Sequence, residues 1–159
     1  TDHYDPRTQT MRLSPDVANS NSVAAVAVVA HEIGHAVQDA QAYVPMKVRS
    51  ALVPGVQIGS WLGPIIFIAG MIFPFPNLSL IGLLLFSGTL VFALVTLPVE
   101  FNASRRAVAM LSQGGLVSDD ERRGAKAVLD AAALTYVAAA AQAISTILYY
   151  VMLMGRRRD

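Results

Sequence analysis

Two long runs without a charged residue constrain this chain more than any other feature of its sequence. Residues 56–73 and residues 78–97 contain no Asp, Glu, Lys or Arg. At about 1.5 Å per residue these runs give roughly 27 Å and 30 Å of helix, and the hydrocarbon core of a bilayer is about 30 Å thick. We therefore expect two transmembrane helices joined by the short turn at residues 74–77.

A third apolar segment, residues 134–154, carries two tyrosines near its end and is followed by three arginines. Such residues are typical of a membrane–water interface, so we expect a third span here. Its Ala-rich first half leaves a soluble amphipathic helix as the alternative for that half. With 54% hydrophobic and only 14% charged residues, the chain fits a membrane protein better than a soluble domain. We predict a mainly α, multipass membrane protein.

Charge balance and cysteine content exclude several classes of function. Twelve Lys and Arg against eleven Asp and Glu leave a net charge of +1, which would not recruit nucleic acid, so we expect no nucleic-acid partner. Because the chain has no cysteine, it can form neither disulfides nor a thiolate metal site. Histidine and carboxylate side chains remain as metal ligands, and the three histidines are His3, His31 and His35.

The polar N-terminal part predicts a short hairpin followed by a helix. Residues 1–13 place Asp5-Pro6 between two short stretches of strand-forming residues, which indicates a β-hairpin or edge strand. Residues 19–22 are a polar break that ends in a candidate N-cap serine. A helix is expected from about Val23 to Tyr43, and Pro45 should stop it.

The expected helix contains His31-Glu32-Ile33-Gly34-His35, an H-E-x-x-H motif. Histidines four residues apart project from one face of a helix, so both imidazoles can bind one Zn²⁺. Glu32 lies about 100° further round the axis, where it can act as general base on the water that zinc activates. The motif predicts a zinc hydrolase that cleaves peptide bonds, with one zinc ion per chain.

Catalytic zinc usually takes three protein ligands, so a third must come from elsewhere. Most carboxylates lie in the polar N-terminal part, in a charged turn or at the terminus, which leaves Glu100 and Asp130. We favour Glu100, because it follows Pro98 just beyond a membrane span, where an ionisable group suggests a functional site. The alternative is an interfacial carboxylate paired with Arg105 or Arg106.

Four further residues are candidates for supporting roles. His3 competes with Glu100 as the third ligand. His3 and Tyr4 lie in the expected edge strand, which could bind a substrate backbone as an added strand and donate a hydrogen bond to the oxyanion, with ordinary hairpin packing as the alternative. Gln38 and Asp39 are expected either to orient the ligand histidines or to form a solvated helix face.

Two motifs carry a resemblance to a known family. HEIGH followed by EFNAS resembles the integral-membrane gluzincins, whose helical HExxH pairs with a downstream E-F-x-A-D, as in the HtpX-like membrane proteases and the CAAX prenyl endoproteases. With DHYDPRTQTMRLSPDV and LPVEFNASRRA included, nearly the whole chain is similar to the bacterial neutral zinc metallopeptidases of the membrane. The resemblance implies His31, His35 and Glu100 as ligands and Glu32 as general base. Ser104 departs from the wider group, which has Asp there to orient a ligand histidine, so metal affinity or activity is expected to be lower.

These features give an expected organisation and topology. The segments are 1–55 with the hairpin and the HExxH helix, 56–97 with the transmembrane hairpin, 98–133 with the third-ligand helix and a charged loop, and 134–155 with the last span. We expect one catalytic unit that lacks its native N-terminal segment. Lys47, Arg49, Arg105 and Arg106 flank the spans on one side, which the positive-inside rule places in the cytoplasm of a bacterial cell, although the terminal arginines oppose this orientation.

The sequence therefore predicts a multipass zinc endopeptidase of the bacterial cytoplasmic membrane, with its metal site on the cytoplasmic side. Its expected partners are the lipid bilayer and polypeptide substrates, membrane proteins among them, and the oligomeric state is left open. An intramembrane protease or a transporter would place ionisable groups within the spans, which have none. The remaining alternative is a non-proteolytic membrane protein with a structural or sensing zinc site, which would have no use for Glu32.

Overall fold

The computed structural model describes residues 2–73, 75 and 77–156. Within them the chain is mainly helical, with a small two-stranded antiparallel sheet at the N-terminal end, as the sequence predicts. The elements in chain order are β1 (His3–Asp5), β2 (Thr10–Arg12), α1 (Pro15–Ala18), α2 (Val23–Ala40), α3 (Val44–Ile72), α4 (Leu78–Gln113) and α5 (Asp119–Arg156).

The predicted N-terminal hairpin is present. Its two strands pair with His3 opposite Arg12, Tyr4 opposite Met11 and Asp5 opposite Thr10. The Asp5 carboxylate closes the turn, because it accepts hydrogen bonds from the backbone N–H of Arg7 and the hydroxyl of Thr8, each at 2.9 Å. Gln9 completes the turn with a φ of 51°. Side-chain bonds of this kind are the usual reason that Asp starts turns.

Helix α2 begins where the sequence predicts and ends earlier. The Ser22 hydroxyl accepts the backbone N–H of Ala25 at 3.1 Å, which caps the helix. The helix ends at Ala40 rather than Tyr43, and Ala42 makes the following turn with a φ of 53°. The expectation that Pro45 stops this helix was wrong. Pro45 lies in the first turn of α3, where its missing N–H is not needed for a helical hydrogen bond.

Three helices, α3, α4 and α5, are long and apolar enough to cross a membrane. Helices α4 and α5 contain the predicted spans, and α3 contains its span up to Ile72, one residue short of the predicted end. Each helix extends well beyond its span, because α3 begins at Val44, α4 continues through Pro98, and α5 begins at Asp119. The predicted loop around Gly114 is present between α4 and α5. An uncharged run therefore marks the part of a helix suited to lipid, whereas the helix itself continues into its polar flanks.

The chain divides into two compact units, and the first contains all of the predicted site residues. It comprises the residues up to Lys47 together with Leu97–Thr135. Here α2 packs on the C-terminal part of α4 and the N-terminal part of α5 through a core made mostly of alanine, whose small side chains let helices approach closely. This core consists of Ala27, Ala30, Ala107, Leu111, Ala125 and Leu129.

The second unit comprises Val48–Thr96 and the chain from Tyr136 onward. Gly63 and Gly82 bring α3 and α4 together, since a Cβ added at Gly63 would lie 2.9 Å from the Gly82 carbonyl oxygen. Nearby, the buried ring of Phe67 stacks on Tyr150 with the ring centroids 4.1 Å apart. Large apolar side chains such as Trp61, which is 69% exposed, form the outer surface. Close packing through small residues with an apolar exterior is typical of helices in lipid.

Candidate metal centre

Helix α2 presents His31 and His35 from one face. Their ring centroids are 4.7 Å apart, and the ring planes are nearly perpendicular, at 88°. Four residues span slightly more than one turn of an α-helix, so the two side chains lie one above the other. His35 is buried and His31 is half-buried. The motif is thus helical and lies at the packed side of α2.

Helix α4 brings a carboxylate to the two imidazoles. Glu100 is only 2% exposed, and its Oε2 atom lies 3.1 Å from Nε2 of His31 and 3.5 Å from Nε2 of His35. Two ligand atoms at about 2.0 Å from a tetrahedral zinc are roughly 3.3 Å apart. The two distances are therefore close to those of a zinc coordination shell.

The outward-facing nitrogens of both imidazoles have hydrogen-bond partners. Nδ1 of His35 lies 2.9 Å from the side-chain oxygen of Gln38, and Nδ1 of His31 lies 3.2 Å from the Ser104 hydroxyl. When both rings carry their proton on Nδ1, both Nε2 lone pairs are directed at Glu100. Three acceptors that converge in this way repel each other unless a cation lies between them, so the donor set fits zinc.

The charges around His35 agree with this interpretation. Burial by itself would lower its pKa, but the hydrogen bond and negative charge of Glu100, together with Gln38 and the charge of Glu32, outweigh burial and leave the pKa raised. The surroundings of His35 therefore favour a positive charge at this position, either a proton or a metal ion.

Glu32 lies on the same helix but is held by the hairpin. It is 8% exposed, and its Oε2 atom accepts the backbone N–H of Tyr4 at 2.7 Å. The Tyr4 hydroxyl donates to the Asp39 carboxylate at 2.9 Å, so β1 is attached to α2 at two points. Burial, and then this bond, raise the pKa of Tyr4. The structure thus brings Tyr4 and Asp39 together as the donor and acceptor of one hydrogen bond.

Among the described residues, the group of His, Asp and Glu side chains that could hold one metal ion is His31, His35 and Glu100. Glu100 approaches both imidazoles, whereas the Asp39 carboxylate accepts a hydrogen bond from Tyr4. His3, the competing third ligand, lies in β1, where its backbone is opposite Arg12.

Asn102, near the site, was not among the residues predicted from the sequence, and the contact that Arg106 makes with it was not predicted either. Asn102 accepts a hydrogen bond from the Gln38 side chain at 2.9 Å and another from Nε of Arg106 at 2.7 Å. Both residues follow Glu100 in α4, but no local pattern distinguishes them from ordinary polar residues at the end of a span. Only the packing of α4 on α2 places them behind a ligand histidine.

The fold and this centre define a helical membrane protein with two histidines and a glutamate arranged to bind a metal ion. Residues 1–155 match the family described as "Putative neutral zinc metallopeptidase", and the chain belongs to this family. It is similar to "Putative membrane protease YugP" of Bacillus subtilis (strain 168), with 42% identity over 159 residues that cover 100% of this chain and 71% of that protein. No solved structure matches the chain. The resemblance to bacterial membrane zinc peptidases is confirmed, and zinc is the metal that the family implies.

Proposed function

We propose that this chain is a membrane-embedded endopeptidase that binds one zinc ion through His31, His35 and Glu100 and uses Glu32 as general base. The observation that carries the proposal is the approach of Glu100 Oε2 to both Nε2 atoms, at 3.1 and 3.5 Å. Both imidazoles have their Nδ1 atoms engaged elsewhere, which is the arrangement that zinc ligands require.

Glu32 has the position and environment of a proton acceptor. A zinc ion at this centre would polarise the scissile carbonyl and make water a stronger nucleophile at neutral pH. Oε2 of Glu32 is held by the Tyr4 N–H, so Oε1 is the atom that accepts a proton from the attacking water. The carboxylic acid then returns that proton to the leaving amine, which completes peptide hydrolysis. The hairpin keeps the carboxylate in place through both steps.

The substrates that fit such a protein are polypeptides, and membrane proteins among them would reach the site most readily. We place the protein in the bacterial cytoplasmic membrane with the site on the cytoplasmic side. Lys47 and Arg49 near the start of α3, and Arg105 and Arg106 after the apolar part of α4, support this orientation.

Zinc content and hydrolysis test the proposal together. Elemental mass spectrometry on detergent-purified protein should find about one zinc per chain, and fluorescein-labelled casein should be cleaved. Glu32→Gln keeps the shape of the side chain but cannot accept the proton, so this variant should keep its zinc and lose cleavage. Zinc without cleavage in the unmodified protein would instead favour a structural or sensing site, and unchanged cleavage in Glu32→Gln would remove the assigned mechanism.

The orientation can be tested separately, because the chain has no cysteine. A single cysteine in place of exposed Ser112 near the end of α4, or of Phe75 between α3 and α4, gives one labelling site each. In intact spheroplasts, a membrane-impermeant maleimide should label Phe75→Cys and leave Ser112→Cys unlabelled until the membrane is opened. The reverse pattern would place the metal centre outside the cytoplasm.

A further inference from the structure

A chain of hydrogen bonds leads from the surface of α4 to the buried ring of His35. Nε of Arg106 donates to the side-chain oxygen of Asn102 at 2.7 Å, and the same oxygen accepts the amide NH₂ of Gln38 at 2.9 Å. The Gln38 NH₂ group also donates to the carbonyl oxygen of Val99 at 2.8 Å. On its other side, the Gln38 oxygen faces Nδ1 of His35 at 2.9 Å.

The chemistry of the groups fixes the direction of every bond in this chain. Arginine can only donate, so the oxygen of Asn102, and not its NH₂, must face Arg106. Because that oxygen can only accept, the group of Gln38 that faces it must be the NH₂. If the Gln38 amide were flipped, its oxygen would also face the carbonyl oxygen of Val99, and two acceptors would repel each other. The side-chain oxygen of Gln38 can only accept, so the neutral ring of His35 must carry its proton on Nδ1. The lone pair of Nε2 is then available to bind a metal ion.

We propose that Asn102 and Arg106 are positioning residues that hold Gln38, and through it the ring and tautomer of His35, in the state that binds zinc. The proposal rests on the proposed function, since it assigns these residues to the same metal centre. Gln38 is fully buried, so no solvent can replace a lost partner there. The amide of Gln38 therefore depends on Asn102 and Val99 for its orientation.

Arg106 is fixed by a second contact of its own. Its Nη1 atom donates to the side-chain oxygen of Gln41 at 2.8 Å, and Gln41 caps the C-terminal end of α2. Arg106 thus joins the end of α2 to Asn102 on α4. The two contacts hold the guanidinium in one orientation, so its Nε–H is directed at Asn102.

The other imidazole, His31, has a hydroxyl rather than an amide oxygen at its Nδ1 atom. Nδ1 of His31 faces the Ser104 hydroxyl at 3.2 Å, and a hydroxyl can rotate to donate or to accept. Ser104 therefore does not select a tautomer by itself. The amide chain makes His35 the ligand whose protonated nitrogen is dictated by its surroundings.

The test measures zinc affinity and the ring proton of His35 in the full chain. Zinc affinity is obtained by competition with a chromophoric chelator in detergent, for Asn102→Leu, Asn102→Asp and Arg106→Met. Exchange of the His35 Nδ1 proton with water is followed by NMR of the zinc-loaded, ¹⁵N-histidine-labelled protein, which has only three histidines. Arg105→Met is the matched control, because Arg105 is exposed on the same helix.

Asn102→Leu and Arg106→Met should lose about tenfold in zinc affinity and show faster exchange of the His35 ring proton. Asn102→Asp should restore both, because a carboxylate accepts from Arg106 and Gln38 as the amide oxygen does. Such a rescue would not follow from mere packing. If the unmodified protein binds zinc and all the variants bind it with the same affinity, this proposal alone is overturned. An equal loss of zinc affinity in Arg105→Met would also overturn it. Absence of zinc from the unmodified protein would overturn the proposed function as well.

Discussion

Gly34 lies so close to Ala103 that a Cβ built on the glycine would be 2.6 Å from the Ala103 carbonyl oxygen. The two residues belong to different helices and sit inside the two motifs, HEIGH in α2 and EFNAS in α4. Their contact brings the helix backbones together immediately beside His35 and Ser104. The absence of a side chain at Gly34 therefore allows the close approach of α2 and α4, the helices that carry the two imidazoles and Glu100.

Gly34→Ala tests this contact directly. A Cβ cannot fit at 2.6 Å from a backbone oxygen, so α2 or α4 must shift, and we expect a loss of about 2 kcal/mol despite the better helix propensity of alanine. Zinc affinity should fall as well, because the shift separates Glu100 from the imidazoles. Thermal unfolding in detergent and chelator competition measure the two effects. Gly55→Ala, where an added Cβ meets nothing within 4 Å, should be neutral or stabilising.

Replacing Glu100 by glutamine should remove zinc without removing the fold. The amide keeps the volume of the buried side chain but loses the negative charge that two imidazoles and a divalent ion require. Elemental mass spectrometry should show about one zinc per chain in the unmodified protein and almost none in Glu100→Gln. Asp130→Asn is the control, since Asp130 is exposed and pairs with Lys126. Full zinc in Glu100→Gln would move the third ligand elsewhere.

Much of this site could be predicted from the sequence because its chemistry is local. Two histidines and a glutamate at helical spacing define a metal-binding face before any tertiary structure is known. Glu100 could be selected by elimination, since few carboxylates lie beside a membrane span. The hydrogen bond from Gln38 to Asn102 joins residues 64 positions apart and depends on which faces of α2 and α4 meet. A single sequence carries no signal for that choice.

The positions of the helices could be predicted from local sequence, but their ends depend on tertiary packing. The apolar runs located all three candidate membrane helices, because lipid requires an uncharged surface. They did not locate the helix ends, since the polar ends of α4 and α5 are stabilised by packing on α2 through Ala107 and Ala125. The prediction was also wrong at Pro45, which lies in the first turn of α3 instead of ending α2.

Ser104→Asp should strengthen zinc binding. A carboxylate would accept the Nδ1 proton of His31 as a charge-assisted hydrogen bond, which is about twice as strong as one to a neutral hydroxyl and makes the imidazole a better ligand. We expect zinc affinity to rise by up to about tenfold, measured by chelator competition. Ser112→Asp places the same charge on an exposed position of the same helix and should leave the affinity unchanged. An equal rise in both variants would indicate a general charge effect.

Tyr4→Phe should loosen the hairpin from α2 without altering the metal ligands. The variant loses the hydrogen bond from the Tyr4 hydroxyl to Asp39, which should cost about 1.5 to 3 kcal/mol because the acceptor is charged. The backbone N–H of Tyr4 can still donate to Glu32, but β1 is then attached to α2 at one point instead of two.

Trypsin provides the measurement, because Arg7 lies in the exposed turn of the hairpin. Cleavage at Arg7 should be faster in Tyr4→Phe, while zinc content should stay the same. Casein hydrolysis should fall through kcat, since a mobile strand positions the Glu32 carboxylate less well. Tyr43→Phe makes the same change at the turn between α2 and α3 and should affect none of these quantities. If cleavage at Arg7 were unchanged in Tyr4→Phe, the bond to Asp39 would not be what holds the hairpin on α2.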